Sequence, residues 1–218
     1  MVQDWNGKRA LRVLGIVLLV AAVGACDLFG DDDDDEVTQN LVEVVASTDS
    51  LSSLLTVIGY IDENGSQADS ADLATLLAGT GPFTVFAPNN DAFDAALGSL
   101  ADPATFGPED VTALEGVLGS AAATADALYL VVANHAASGA LASGGLTNEQ
   151  SITTLAGSAP NFGLTVDLTT GVQIVPSYTP STASVVGADV PATNGVAHVI
   201  DAVLLDDTTA SALGLPAD

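Results

Sequence analysis

The chain of 218 residues holds 28 carboxylates but only three basic side chains, which are Lys8, Arg9 and Arg12. If the first 25 residues are removed, Asp4 and all three cations go with them, so that 27 carboxylates and no Lys or Arg remain. A surface without cations cannot neutralise phosphate, which excludes nucleic acid as a partner. Hydrophobic residues make up 48% of the chain, which excludes a disordered protein and provides the core of one domain.

The excess of carboxylates also predicts a salty environment. At about 1 M salt the Debye length falls to roughly 3 Å, so that carboxylates no longer repel one another at a distance. We therefore expect a halophilic or marine source. The single cysteine excludes an internal disulfide framework.

The first 26 residues have the pattern of an export signal. The three basic residues precede an apolar run over residues 13–22, which is too short to span about 30 Å of hydrocarbon as a helix. The run ends in Val23-Gly24-Ala25-Cys26, which resembles the lipobox of bacterial lipoproteins. The resemblance implies removal of the signal peptide 1–25, attachment of diacylglycerol to Cys26 and further acylation, for example by palmitate. The alternative is an ordinary signal peptide with an incidental cysteine.

The lipidated cysteine and an acidic tether occupy residues 26–36, and the tether ends in the carboxylate run Asp31–Glu36. Charges this dense repel one another, which predicts an extended, solvated spacer that reaches at most about 40 Å. The alternatives are a cluster that attracts calcium and a sorting signal. Acidic residues after the cysteine resemble cell-surface signals in some bacteria, whereas an Asp at the position of Asp27 retains lipoproteins at the inner membrane in others. We expect the cell envelope, at the outer membrane or cell surface rather than the inner membrane.

The next part of the chain is predicted to be helical. Apolar residues recur at helical spacing over 41–45 and 51–58, and the polar stretch 61–71 is predicted as a loop. A short helix is predicted to end near Gly79. The expected N-caps are Thr38, the cluster Ser47-Thr48-Asp49, and Asp72.

A strand followed by a capped helix is predicted over residues 81–93. Residues 83–87 favour a strand, a proline closes it, and an asparagine caps the helix that follows. This unit resembles the first signature of the fasciclin domain family. The residues that carry the resemblance are Phe86, Pro88, Asn90, Asp91 and Phe93.

Residues 188–205 resemble the second signature of that family. The pair Asn194-Gly195 predicts a hairpin with a type I′ turn, because both residues tolerate positive φ. The strand that follows alternates, with His198 and Ile200 on one face. The residues that carry this second resemblance are Asn194, Gly195, His198 and Asp201.

Between the signatures, residues 128–135 with Gly139 and Leu146 resemble a family segment that usually reads Tyr-His-Val-Val-Pro-Gly. Asn134 stands where the tyrosine would be, and the proline before Gly139 is missing. Because this segment is linked to adhesion in the family, Asn134 and His135 are the candidate contact residues. Short strands near 153–157, 164–166 and 172–174 resemble the family's meander.

The resemblance implies an α+β fold, in which a compact, short-stranded mixed β-sandwich has several helices packed to one side. One such domain is expected over residues 37–207, with a short tail over 208–218. The implied function is adhesion, or interaction with a matrix component, polysaccharide or cell-surface protein, without catalysis or cofactor. The alternative is a structural or small-ligand-sequestering envelope lipoprotein.

Catalytic chemistry has few candidate residues. Beyond residue 25 there is no Lys for a Schiff base and no side-chain cation for an anionic transition state. A hydrolase based on His198 is the third hypothesis, although a histidine inside an apolar strand is usually a hydrogen-bonded core residue. Zinc would require more His and Cys ligands than the chain offers. The best candidate ligands for calcium are Asp62, Asn64, Asp69 and Asp72.

Overall fold

The computed structural model describes residues 37–66, 73–97, 107–157, 163–176, 182–205, 210 and 213. Cys26, the acidic tether, and the candidate ligands Asp69 and Asp72 lie outside the described residues. Within those ranges no single helix is long and apolar enough to cross a membrane. Two bent pairs of helices, 41–64 and 110–134, reach the required length and composition only when both members are taken together.

The described part of the chain contains six α-helices and two short 3-10 turns. The 3-10 turns are Asp49–Leu51 and Ser143–Gly145. The helices are α1 (Leu41–Ser47), α2 (Ser52–Asn64), α3 (Leu73–Leu77), α4 (Asn90–Leu97), α5 (Pro108–Leu118) and α6 (Ala121–Asn134).

The caps of the first helices differ from those predicted. Helix α1 begins after Asn40, whose Oδ1 atom accepts from the Val42 and Glu43 N–H groups, whereas Thr38 lies outside the helix. The Glu43 carboxylate accepts from the Asn40 N–H in return at 2.8 Å, which completes a capping box. The hydroxyl of Thr48 donates to the Val44 carbonyl at the end of α1 and does not cap the helix that follows.

The predicted loop over residues 61–71 begins too early. Helix α2 continues to Asn64, because Ile61 extends its apolar stripe and is fully buried. The prediction for helix α4 is confirmed: the Asn89 side chain accepts from the Ala92 N–H at 2.8 Å, and Asp91 lies in the first turn.

Seven strands form one mixed sheet in the order β2-β1-β7-β6-β5-β4-β3. Strands β1 and β7 pair in parallel, and all other pairs are antiparallel. Thr154, just after β3, bridges to Ala137 of β2, so that the sheet curves until its two edges meet. The strands are β1 (Phe83–Pro88), β2 (Ala136–Ser138), β3 (Ser151–Ile152), β4 (Leu164–Asp167), β5 (Gln173–Pro176), β6 (Ala183–Ala192) and β7 (Gly195–Ile200).

Two apolar clusters hold these layers together. The larger one lies between the helices and one face of β1 and β7, where it includes Val85 and Ala197. The smaller one lies inside the curved sheet, where Phe86 and Ile200 meet Ile174 of β5. The predicted α+β fold, with a short-stranded mixed sheet and helices on one side, is therefore confirmed.

The hairpin between β6 and β7 is present, but its predicted type I′ turn is wrong. Ala192 pairs with Gly195, so that the two loop residues are Thr193 and Asn194. Neither of them has a positive φ, whereas a type I′ turn requires it at both positions. Gly195 instead permits a close approach of two chains, since a Cβ atom at this position would lie 2.0 Å from the Phe83 carbonyl oxygen.

Candidate functional site

His135 follows helix α6 and is 1% exposed. Its Nε2 atom lies 2.8 Å from the Leu204 backbone nitrogen, and its Nδ1 atom lies 2.7 Å from the Val131 carbonyl oxygen. An N–H group only donates and a carbonyl oxygen only accepts, so that the ring is neutral with its proton on Nδ1. Burial lowers the pKa of His135 to about 4, and the hydrogen bond to Val131 opposes this only in part.

Asn134, the other predicted contact residue, is also buried. It is 2% exposed, and its Oδ1 atom accepts a hydrogen bond from the Thr154 hydroxyl at 3.1 Å. The last turn of α6 enters the core before β2 begins, which explains why both side chains point inward. This corrects the expectation that the side chains of Asn134 and His135 face a partner. The exposed part of the same family segment is the loop that follows, residues 139–145, here called the clamp loop.

The clamp loop is exposed, yet buried groups hold it in place. The hydroxyl of Thr84, a buried residue, donates to the Gly139 carbonyl at 2.6 Å and accepts from the Leu141 N–H at 2.8 Å. The Gly139 N–H donates to the Pro82 carbonyl at 2.8 Å. These bonds fix the start of the loop against β1 without covering its outer side, where Ala140, Ala142, Gly144 and Gly145 are exposed.

His198 holds the middle of the clamp loop. The ring is fully buried and stacks on Phe86, with 5.6 Å between the ring centroids. Its Nδ1 atom accepts from the Asp189 N–H at 3.1 Å, and its Nε2 atom donates to the Leu141 carbonyl at 2.8 Å. Both nitrogens are therefore engaged by backbone groups, which leaves neither to take a proton from a serine. This geometry argues against the hydrolase hypothesis.

Asp189 holds the clamp loop, a role that the sequence analysis missed. Strand β6 is irregular between Val185 and Val190, and Asp189 has a φ of 57° there. Its carboxylate accepts from the N–H and the hydroxyl of Ser143 in the clamp loop, and these bonds hold the pKa of Asp189 below its usual range. The irregular stretch 186–189, here called the β6 bulge, is thus joined to the clamp loop. It exposes 59% of the Val186 side chain.

Asn194 has a larger role than the predicted turn. Its side chain is 7% exposed; Oδ1 accepts from the Leu41 N–H at 2.9 Å, and Nδ2 donates to the carbonyls of Leu77 and Gly79 at 2.7 Å. Its own carbonyl accepts from the Phe83 N–H at 3.0 Å. One side chain therefore joins the hairpin tip to the start of α1 and the end of α3.

The other signature residues stabilise junctions or the core. Phe86 and Phe93 are buried, and Pro88 pairs with Ile200 between β1 and β7. The Asn90 side chain accepts from the Ser53 N–H at the start of α2. The carboxylate of Asp201 accepts from the Ser184 N–H at 2.6 Å, which joins the end of β7 to β6.

The candidate calcium ligands that the structure describes already serve the fold. The Asp62 carboxylate accepts from the Ala74 N–H at the start of α3, and the Asn64 side chain donates to the Tyr60 carbonyl. Both lie in the last turn of α2 rather than in the predicted loop. In the described ranges no three His, Cys, Asp or Glu residues stand together as a metal site would require.

A small apolar cavity lies beside His135, among α1, α2, α3 and β1. Its volume is about 10 Å³, the room of a single water molecule. Pockets for small ligands are larger, at roughly 300–1,000 Å³. This cavity therefore offers no support for the sequestration of a small ligand.

Comparison with known proteins identifies relatives across most of the chain. A family model for the fasciclin domain matches residues 65–206. Protein sll1483 of Synechocystis is 34% identical over 165 residues, which make up 76% of this chain and 72% of that protein. Protein sll1735 of Synechocystis is 27% identical over 76% of this chain and 97% of its own length. The Sus scrofa transforming growth factor-beta-induced protein ig-h3 is 28% identical over 84% of this chain, which spans 22% of the pig protein.

A solved structure has the same fold. The fasciclin domain pair of the insect cell adhesion molecule fasciclin I superposes with a TM-score of 0.55 at 17% identity, over 79% of this chain and 53% of that chain. Helices α1 and α2 precede the residues that the family model matches, yet their apolar side chains belong to the same core as β1 and β7. On the match to residues 65–206 and the 34% identity to sll1483, the chain belongs to the fasciclin domain family.

Proposed function

We propose that the chain is a lipid-anchored envelope protein whose fasciclin domain binds a protein of the envelope or matrix and catalyses no reaction. The observation that carries the proposal is an exposed loop held by buried groups. The clamp loop and the β6 bulge form one outer surface: the buried side chains of Thr84 and His198 hold the clamp loop from below, and the exposed Asp189 joins the two parts through Ser143. Loops held rigidly on a scaffold are common places for binding residues. Fasciclin I, which shares the fold, is named as a cell adhesion molecule.

The charge of the chain restricts the partner. Beyond residue 25 there is no Lys or Arg, so that ion pairs across an interface can come only from cations of the partner or from a bound metal ion. A basic or neutral protein can therefore dock directly, whereas an anionic polysaccharide would need a divalent bridge. We propose a protein partner, with calcium as a modulator of the contact.

The proposed surface is tested by the substitution Val186→Lys. The new cation lies at the start of the β6 bulge, on an exposed side chain, and would repel a basic partner, so that we expect retention of the partner to fall by roughly tenfold or more. The measurement is a pull-down of envelope extract on the detergent-solubilised full chain, with calcium and with chelator, beside a broad hydrolase screen.

The matched control is Val117→Lys, because Val117 is also an exposed valine, at 56%, but lies on α5. Equal loss of the partner in both variants would place the contact elsewhere. No retained partner in either condition, together with turnover that His198→Ala abolishes, would overturn the proposed function as a whole.

The proposed lipid anchor rests on the lipobox-like end of the signal peptide. Several acyl chains contribute about 0.8 kcal/mol for each buried CH₂ group, which is enough for nearly permanent membrane attachment. The substitution Cys26→Ser is expected to abolish labelling with radioactive palmitate and to release the protein from membranes. The control is Asp27→Asn, which leaves the thiol in place and should remain labelled. A Cys26→Ser protein that still carries label and fractionates wholly with membranes would contradict the anchor.

A further inference from the structure

We infer that His135 is an acid-sensitive latch: when its ring takes up a proton, the segment 202–205 after β7 detaches from the end of α6. The inference is independent of the proposed binding function. Its basis is the two hydrogen bonds of the His135 ring, to the Leu204 N–H and to the Val131 carbonyl, which leave the ring no vacant acceptor. A second proton can enter only at Nε2, where it would face the Leu204 N–H, so that two donors would oppose each other at a separation of 2.8 Å.

The surroundings of the ring offer a proton no compensation. The elements packed against the ring turn apolar side chains inward. Among the described residues no carboxylate faces the ring, and the influences on the pKa of His135 that these residues supply are burial and the Val131 carbonyl. A protonated imidazole would therefore be a buried charge without a partner. The apolar residues that line the cavity beside the ring include Leu41, Val45, Leu54, Ile58, Leu77 and Phe86.

Moving Leu204 away relieves this conflict, but it also exposes the side chains of Val203 and Leu204, which are buried and belong to the two apolar clusters, so that the opened state is a minor one. The Leu204 N–H is the only group of segment 202–205 that binds the His135 ring among the described residues, and the bond to Val131 persists in the protonated ring. Opening at this point lets the charged ring reach water. The remaining structure keeps the parallel pairing of β1 with β7, because this pairing ends at Ile200, before segment 202–205 begins.

The pH range follows from the two states of the ring. In the latched state the pKa is about 4, whereas in the opened state it returns to the ordinary value of about 6.5. The opened state therefore binds more protons between these values, and its population rises as the pH falls below about 6.5. Between pH 7 and pH 5 the opening constant should rise roughly 20-fold.

The test is hydrogen exchange of two amides in the detergent-solubilised full chain at pH 7 and pH 5. After correction for intrinsic exchange, the protection factor of the Leu204 amide should fall roughly 20-fold. The Phe83 amide donates to the Asn194 carbonyl away from the latch and serves as the reporter of global unfolding. Its protection factor should not change between the two pH values.

The variant His135→Gln separates the latch from other acid effects. A glutamine amide can supply one donor and one acceptor but does not titrate, so that the protection of Leu204 should then vary little with pH. The chain has only two histidines, so that loss of one ring signal in this variant also assigns the ring titration in the parent. If His135→Gln does not fold, the test rests on the protection factors of the Leu204 and Phe83 amides in the parent protein. Constant protection of Leu204, or a parallel fall at Phe83, would overturn the latch.

Discussion

Replacing Asn194 with alanine is expected to remove roughly 3–6 kcal/mol from the free energy of unfolding. The substitution leaves two buried backbone groups, the Leu41 N–H and the Leu77 carbonyl, and the half-buried Gly79 carbonyl without their partner. Each buried group that loses its hydrogen bond costs about 1–3 kcal/mol. Since native domains are stable by about 5–15 kcal/mol, this loss removes a large part of the total. The measurement is urea unfolding followed by circular dichroism.

Thr193→Ala is the matched control, because Thr193 is the other loop residue of the hairpin and its side chain is exposed. Its backbone N–H donates to the Gln39 carbonyl in either variant, so that the change should stay within about 0.5 kcal/mol. Asn194→Asp adds a second comparison, since it keeps the acceptor for Leu41 but turns carboxylate oxygen toward two carbonyls. A difference below about 1 kcal/mol between Asn194→Ala and Thr193→Ala would show that the three bonds contribute little.

The predictable part of the fold depended on local chemistry. The strand at 83–88 was evident because β-prone residues end at a proline, and helix α4 because Asn89 supplies a cap beside an acidic first turn. Each of these signals acts within a few residues. A hairpin was predicted at Asn194-Gly195 for the same reason, since Asn and Gly favour turns, and the structure places its two loop residues one position earlier, at 193–194.

The errors arose where distant residues decide the local structure. Asn194 looks like a turn residue, but its side chain binds groups 153 and 117 residues away along the chain. The polar stretch after Ile61 suggested a loop, whereas burial of Ile61 extends α2 through the next turn. In both cases tertiary contacts outweigh the local preference of the residue.

The contact segment was predicted from the family resemblance, and the two side chains named in it do not face solvent. The resemblance indicated residues 134–135, and the structure shows that these are buried while the following loop is exposed. The supporting role of Asp189 depends on its positive φ and on irregular pairing with β7, which no period in the sequence reveals. Hydrophobic periodicity reports the face on which a residue lies, but not whether a family motif binds a partner or supports the loop beside it.

A rise in salt concentration is expected to stabilise this domain strongly. The part of the chain that follows residue 25 holds 27 carboxylates and no Lys or Arg. No ion pair with Lys or Arg in this part of the chain can therefore offset the repulsion between the carboxylates. The two histidines add no compensating charge while buried and neutral: the bonds of His135 require the neutral ring, and both nitrogens of His198 are engaged by backbone groups. Folding brings the carboxylates together, and salt screens this cost, most strongly in the folded state.

The measurement is thermal unfolding of the detergent-solubilised full chain between about 0.05 M and 2 M NaCl at neutral pH, where the Debye length shortens severalfold. A gain of about 3 kcal/mol would raise the midpoint by roughly 6–12 °C for a domain of this size. Parallel melts in sucrose separate screening from general exclusion at the protein surface, which stabilises folded proteins regardless of charge. Screening predicts that most of the rise occurs below about 0.5 M NaCl, because exposed charges then lie more than a Debye length apart. A midpoint that stays constant with NaCl, or that follows the sucrose series throughout, would show that charge repulsion does not limit the stability of the fold.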